Sequence, residues 1–191
     1  PIDDECVSYR RPIIAAHGFL ASGDTWATQA QRFIANGSCR QDIIAFDWNT
    51  VSDGRGPMDA SVERLDSVVE RVLADRNSAQ VDLIGHSAGG SLGYAYLSRK
   101  ERAAKVAHYA HIGSTVQSGP AGQDAEVPTL NIWSEEDMAI PDKGDIEGAT
   151  NLRQSTADHY SVATNVETFR GLYSFFNEGE IPLMTAASPS D

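Results

Sequence analysis

Ser87 is the residue whose setting most clearly suggests chemistry. It lies in the pentapeptide Gly-His-Ser-Ala-Gly at 85–89, directly after the strand-like residues Val-Asp-Leu-Ile at 81–84 and before a segment of helical character. This setting is typical of a nucleophile elbow, because small neighbours let the strained strand-to-helix turn form and the helix N-terminus favours negative charge. The alternative is a glycine-rich turn in which the serine is an ordinary cap. We favour the elbow, with Ser87 as nucleophile.

A serine hydroxyl needs a base, and His159 is the histidine best placed to provide one. In folds with a nucleophile elbow, the three catalytic residues follow one another along the chain in the order serine, acid, histidine. Only His159 lies beyond a strand that an acid could follow. His86 belongs to the elbow and is expected to point away from the nucleophile. The remaining histidines are expected to be structural, and they are His17, His108 and His111.

The orienting acid is expected among three consecutive carboxylates at 135–137, after the fifth predicted strand, which includes 129–133. Asp137 is preferred because the loop that follows it ends in Ile140-Pro141, and Glu136 is the alternative. Two backbone N–H groups would then hold the oxyanion. One is that of Ala88, the residue after the nucleophile, and the other is that of Phe19, in the loop after the first strand.

Short apolar runs alternate with amphipathic segments, which predicts an α/β fold with a mostly parallel, doubly wound sheet and helices on both faces. The predicted strands are 12–16, 42–48, 81–85, 105–112, 128–134 and 151–155, and the predicted helices are 29–35, 60–75, 88–99 and 161–177. The division predicted is one catalytic domain over 1–181. Residues 182–191 form a tail or the start of a further domain.

Composition excludes several function classes. The 191 residues hold 27 acidic and 15 basic side chains, a net charge of −12, which argues against nucleic acid and anionic membranes as partners. No apolar run approaches the roughly 18 residues of a membrane span. The chain starts without methionine or a signal peptide, so a processed product is expected. No cofactor or metal is implied, and the sequence leaves the oligomeric state open.

Cys6 and Cys39 each lie shortly before a predicted strand. If those strands are parallel neighbours, both cysteines lie at one edge of the sheet, away from the site. A disulfide is the hypothesis, and it would support a secreted location. The alternative is two separate thiols.

These motifs together resemble the α/β-hydrolase superfamily, and more narrowly the small, lidless class 2 bacterial lipases and the catalytic domain of related archaeal lipases. The resemblance covers about 12–177, and its most specific parts are the elbow and the spacing from Asp137 to His159. It implies Ser87, Asp137 and His159 as triad. The short loop at 49–57, where archaeal relatives carry a lid, implies an open cleft.

The predicted function is a secreted serine carboxylic-ester hydrolase that acts on a small-molecule or lipid ester. Thioesterase, amidase and polyesterase activity stay open as alternatives, as does a non-catalytic binding module. Four apolar residues on loops near the strand ends are expected to line an acyl cleft, although about half could be core: Trp26, Trp48, Met138 and Ile140.

Overall fold

A computed structural model describes residues 6–7, 9–52 and 58–186 of the chain. Its strands are β1 Ile13–Ala16, β2 Ile43–Phe46, β3 Val81–His86, β4 Val106–Ile112, β5 Thr129–Ser134 and β6 Thr150–Gln154. Its helices are α1 Ala27–Ala35, α2 Asp59–Arg76, α3 Ala88–Leu97, α4 Lys100–Ala103, α5 Ser161–Thr164 and α6 Val166–Phe176. Two 3₁₀ turns, Gly23–Trp26 and Arg40–Asp42, precede α1 and β2.

The six strands form one sheet in the order β2-β1-β3-β4-β5-β6, and every neighbouring pair is parallel. Parallel strands need a crossover between them, and helices supply most of these crossovers. The carboxyl ends of the strands therefore meet at one edge of the sheet, and the loops that leave this edge carry the predicted site residues. This confirms the predicted fold class.

Helices cover both faces of the sheet because successive strand side chains point to opposite sides. In β1, Ile14 and Ala16 join a core with residues of α2 and α3. Ile13 and Ala15 join a second core with residues of α1, α5 and α6. The doubly wound prediction is confirmed by this alternation.

The last predicted helix, 161–177, is interrupted in the structure. Asn165 adopts an extended conformation and its side-chain oxygen accepts a hydrogen bond from the backbone N–H of Thr168, 2.8 Å away. It is thus the N-cap of α6, since asparagine readily satisfies one of the free N–H groups at a helix start. The short helix α5 lies before α6, and it begins only two residues after His159.

The segment after α6 folds back on α1. Met184 exchanges two hydrogen bonds with Asn36, and the carbonyl of Thr185 accepts from the guanidinium of Arg32. The division of the chain at residue 181 stays a prediction, and residues 1–5, 8, 53–57 and 187–191 lie outside the described residues, so that most of the short loop predicted at 49–57 does too. Within the ranges that are described, no helix is long and apolar enough to cross a membrane.

Candidate active site

Ser87 sits on a strained turn between β3 and α3. Its backbone has φ +56° and ψ −121°, a conformation that costs a non-glycine residue about 1–3 kcal/mol. Its N–H donates to the carbonyl of Ile112 on β4, and its own carbonyl accepts from the hydroxyl of Ser114 at 2.8 Å. A Cβ on Gly85 would overlap the backbone of α3, so glycine is needed there for the turn to close. These contacts hold the Ser87 side chain at the carboxyl edge of the sheet.

A continuous line of hydrogen bonds joins Ser87, His159 and Asp137. The hydroxyl of Ser87 lies 2.9 Å from Nε2 of His159, and Nδ1 of His159 lies 2.8 Å from Oδ2 of Asp137. A carboxylate only accepts, so Nδ1 carries the proton and the lone pair of Nε2 faces the hydroxyl. The three residues come together from the turn after β3, the loop after β5 and the loop before α5.

Asp137 is buried, with 1% of its surface exposed. Its Oδ1 accepts from the N–H of Ala139 at 3.0 Å, which leaves Oδ2 for His159. Glu136, the alternative acid, is exposed to solvent. The structure thus brings Asp137, rather than Glu136, to the histidine ring.

The loop that carries His159 is tied to the start of α5. Oδ1 of Asp158 accepts from the N–H groups of Tyr160 and Ser161, at 3.0 and 2.7 Å. The hydrogen bonds from Ser161 and Tyr160 hold the pKa of this carboxyl below its usual value. Asp158 therefore shapes the loop, as an anionic cap at the helix start.

The loop after β1 packs directly against the nucleophile. A Cβ on Gly18 would lie 2.9 Å from Cβ of Ser87. The carbonyl of Gly18 accepts from Nδ1 of the buried His17 at 2.9 Å and from the N–H of Ala21 at 3.3 Å. Because C=O and N–H of a trans peptide point in opposite directions, this carbonyl also sets the direction of the Phe19 N–H.

The second predicted donor, the N–H of Ala88, begins helix α3. It is one of the first four N–H groups of a helix, which have no acceptor within the helix. Ala88 is half-buried beside Ser87. Ala88 thus directly follows the nucleophile, and Phe19 directly follows Gly18, which packs against it.

The four predicted acyl-cleft residues divide into two pairs. Trp26 and Trp48 are buried, with 3% and 6% of their surfaces exposed, and they belong to the two cores of the sheet. This corrects the expectation that they line an open cleft, because tertiary packing covers their loops. Met138 is 86% exposed and Ile140 is half-buried beyond Asp137.

Two buried histidines on neighbouring strands carry strongly lowered pKa values. Burial lowers the pKa of His111 from 6.5 to about 4, and burial with the nearby charge of His159 lowers the pKa of His86 equally to about 4. Nε2 of His111 lies 3.0 Å from the carbonyl of Thr115. The ring of His86 lies 4.7 Å from that of His159, so His86 adjoins the candidate base. Its place next to Ser87 was the only sequence signal for this contact.

Cys6 and Cys39 form a disulfide that closes a loop of 33 residues. It joins the segment before β1 to the residue before the 3₁₀ turn that leads into β2. This bears out the predicted pairing. Among the residues described by the structure, no group of His, Cys, Asp or Glu is arranged to hold a metal ion.

Comparison with known proteins identifies the fold family. A family model of the alpha/beta hydrolase fold matches residues 11–136, roughly two thirds of the chain. This chain belongs to the α/β-hydrolase family. The matched range includes Ser87 and ends directly before Asp137, so Asp137 and His159 lie outside it.

Solved structures share the fold at low identity. A lipase of Bacillus licheniformis is 14% identical with a TM-score of 0.63, and 92% of each chain is covered. A carboxylesterase structure from Nitrososphaera gargenis is 14% identical with a TM-score of 0.66, covering 89% of this α/β hydrolase and 91% of that chain. A bromoperoxidase of Bacillus anthracis is likewise 14% identical, with a TM-score of 0.65 and coverage of 89% and 93%. At this identity the similarity shows the fold alone, and the reaction has to be argued from the residues of the site.

Proposed function

We propose that this α/β hydrolase is a serine carboxylic-ester hydrolase. The observation that carries the proposal is the line of hydrogen bonds from Ser87 through His159 to the buried Asp137. A hydroxyl next to an imidazole whose far nitrogen is held by a carboxylate is the arrangement that acyl transfer requires. The triad residues and the oxyanion donors are part of this proposal.

In the acylation step, Oγ of Ser87 attacks the ester carbonyl carbon while Nε2 of His159 takes the hydroxyl proton. Asp137 keeps the imidazole in the right tautomer and stabilises the imidazolium. The backbone N–H groups of Phe19 and Ala88 hold the tetrahedral oxyanion, and each donor is worth roughly 10²–10³ in kcat. The C–O bond to the alcohol then breaks, and His159 protonates the leaving oxygen.

Deacylation repeats the sequence with water. His159 takes a proton from the water as its oxygen attacks the acyl carbon, and the carboxylic acid leaves as Ser87 regains its proton. The side chain of His159 is 30% exposed, which supports access of water to the base.

Exposed apolar side chains around the triad favour an ester with an apolar acyl chain. Leu20 follows Phe19, Met138 follows Asp137 and Tyr160 follows His159, and these three are 72%, 86% and 62% exposed. Large apolar side chains of this exposure next to a polar site are suited to contact an acyl chain.

We propose further that the protein acts outside the cytosol. The support is the disulfide between Cys6 and Cys39, since such bonds persist in oxidising compartments. Titration of thiols in the unfolded protein as purified from its native source, without reductant, tests this proposal. Two reactive thiols would contradict it.

Hydrolysis of p-nitrophenyl esters from C2 to C16, with thioesters and anilides in parallel, tests the reaction. Ser87→Ala is expected to lose at least about 10⁴-fold in kcat, because nucleophile and base act as one unit. The matched control is Ser98→Ala, at the exposed end of the same helix, which should retain wild-type activity. Ester hydrolysis that survives Ser87→Ala would refute the assignment, and a preference for thioesters or anilides would replace the substrate class.

A further inference from the structure

His86 is a buried imidazole in direct contact with the candidate base, and the proposed chemistry does not use it. Only 4% of its surface is exposed. Its Nε2 lies 2.8 Å from the backbone carbonyl oxygen of His159, 73 residues further along the chain. A carbonyl oxygen only accepts hydrogen bonds, so Nε2 of His86 carries the proton and donates it.

The ring of His86 has little freedom to move. It lies 4.7 Å from the ring of His159 and meets the ring of Trp26 edge-on at 6.5 Å. Glycines lie on two sides, since a Cβ on Gly18 would be 3.2 Å from Nδ1 and one on Gly113 would be 3.4 Å from Cδ2. The imidazole thus fills the space between the loop after β1, which carries Gly18, and the loop that carries His159.

Nδ1 of His86 is buried and has no hydrogen-bond partner among the described residues. An unpaired buried polar atom is unfavourable, and a phenylalanine of similar shape would avoid it. The hydrogen bond from Nε2 is therefore the contact that distinguishes histidine from an apolar ring at this position.

We infer that His86 is a positioning residue of the proposed hydrolysis, which holds the backbone of His159 so that its Nε2 stays within reach of Ser87. The hydrogen bond holds the backbone carbonyl of His159, and the packed ring of His86 limits movement of the His159 ring. Because Ser87 directly follows His86 at the end of β3, one strand end sets the distance between nucleophile and base. This inference rests on the proposed function.

The contact does not make His86 a proton carrier. Burial, and next the charge of His159, lower its pKa to about 4. The hydrogen bond to the carbonyl of His159 and the charge of Asp137 act in the opposite direction, and His17 acts in the same one. Near neutral pH, His86 therefore stays neutral when His159 takes the proton of the nucleophile. Of the two imidazoles in contact, the one that gains charge in the proposed reaction is therefore that of His159.

Two variants separate the hydrogen bond from the packing. His86→Phe keeps a ring and removes the donor, whereas His86→Gln keeps an N–H at a similar reach. We expect His86→Phe to lower kcat on p-nitrophenyl butyrate by up to about 10²-fold with KM almost unchanged, because a small displacement of the base has this effect. His86→Gln is expected to recover most of that loss.

The number of competent sites is counted with a fluorophosphonate probe. Oγ of Ser87 bonds to phosphorus, fluoride leaves and the serine proton passes to His159, so the labelling rate also reports the base. A merely structural role would lower the labelled fraction and the urea midpoint, with kcat per labelled site unchanged. A positioning role lowers kcat and the labelling rate at an unchanged final fraction.

The matched control is His111→Phe on the neighbouring strand. His111 is equally buried and lies 3.0 Å from a backbone carbonyl, that of Thr115, outside the triad. Its variant should keep the wild-type labelling rate. Wild-type activity in His86→Phe, or equal losses in His86→Phe and His86→Gln, would overturn the inference alone. A wild-type protein that neither hydrolyses esters nor reacts with the probe would refute the proposed function and, with it, this inference.

Discussion

Replacing Asp137 by asparagine tests the tautomer that the triad geometry demands. The carboxylate holds the proton of His159 on Nδ1, through a contact of 2.8 Å. An asparagine could in principle turn its oxygen to His159 and keep that tautomer. The N–H of Ala139, 3.0 Å from Oδ1, opposes this, because the amide NH₂ would then face another donor. The amide oxygen is therefore expected to stay at Ala139.

The NH₂ group of the variant then faces Nδ1 of His159 and moves the ring proton to Nε2. A protonated Nε2 in a neutral imidazole cannot accept the proton of Ser87, so the base is lost while the shape is kept. The equivalent change in a serine protease lowers kcat by about 10⁴-fold, which corresponds to about 5.5 kcal/mol in the barrier. We expect a loss of this size for Asp137→Asn, with KM changed little.

Steady-state hydrolysis of p-nitrophenyl butyrate at pH 7.5 measures the loss, and circular dichroism checks that the variant is folded. Glu136→Gln is the matched control, because it removes one charge from the exposed neighbour and should leave kcat within about twofold. A folded Asp137→Asn variant with more than a tenth of the wild-type kcat would contradict the reasoning. A large loss in Glu136→Gln would assign the acid to the wrong carboxylate.

Three further predictions concern stability. Burial lowers the pKa of His86 and of His111 to about 4 in the folded state, against 6.5 in the unfolded state. Between these two pH values the unfolded state binds more protons than the folded state. The free energy of unfolding should therefore fall by about 3 kcal/mol per histidine from pH 7 to pH 4. Urea titrations should show a weaker pH dependence in His111→Phe, and an unchanged one would contradict the burial argument. Paired replacement of Cys6 and Cys39 by serine should lower the free energy of unfolding by about 3–4 kcal/mol, given the 33-residue loop, and an unaltered urea midpoint would show that the crosslink adds nothing. Gly85→Ala should yield little folded protein by circular dichroism, since its methyl group would overlap the backbone of α3.

The fold could be read from the sequence because its signals are local. Buried parallel strands appear as short apolar runs, and the helix over Asp59–Arg76 repeats its apolar residues at intervals of three and four. The break at Asn165 was missed because the apolar stripe continues across it. Capping by an asparagine side chain competes with helix continuation, and periodicity does not report that competition.

By itself the sequence determined the candidate nucleophile and base and limited the acid to neighbouring carboxylates, since an elbow motif and the chain order of acid and base depend only on residue types and their sequence. The tertiary structure decided which neighbouring carboxylate meets His159, for Glu136 and Asp137 are adjacent in sequence and differ in burial. It likewise buried Trp26 in a core and placed the ring of His86 against His159. These outcomes depend on which side of a loop faces the sheet, and that is set by packing between segments tens of residues apart.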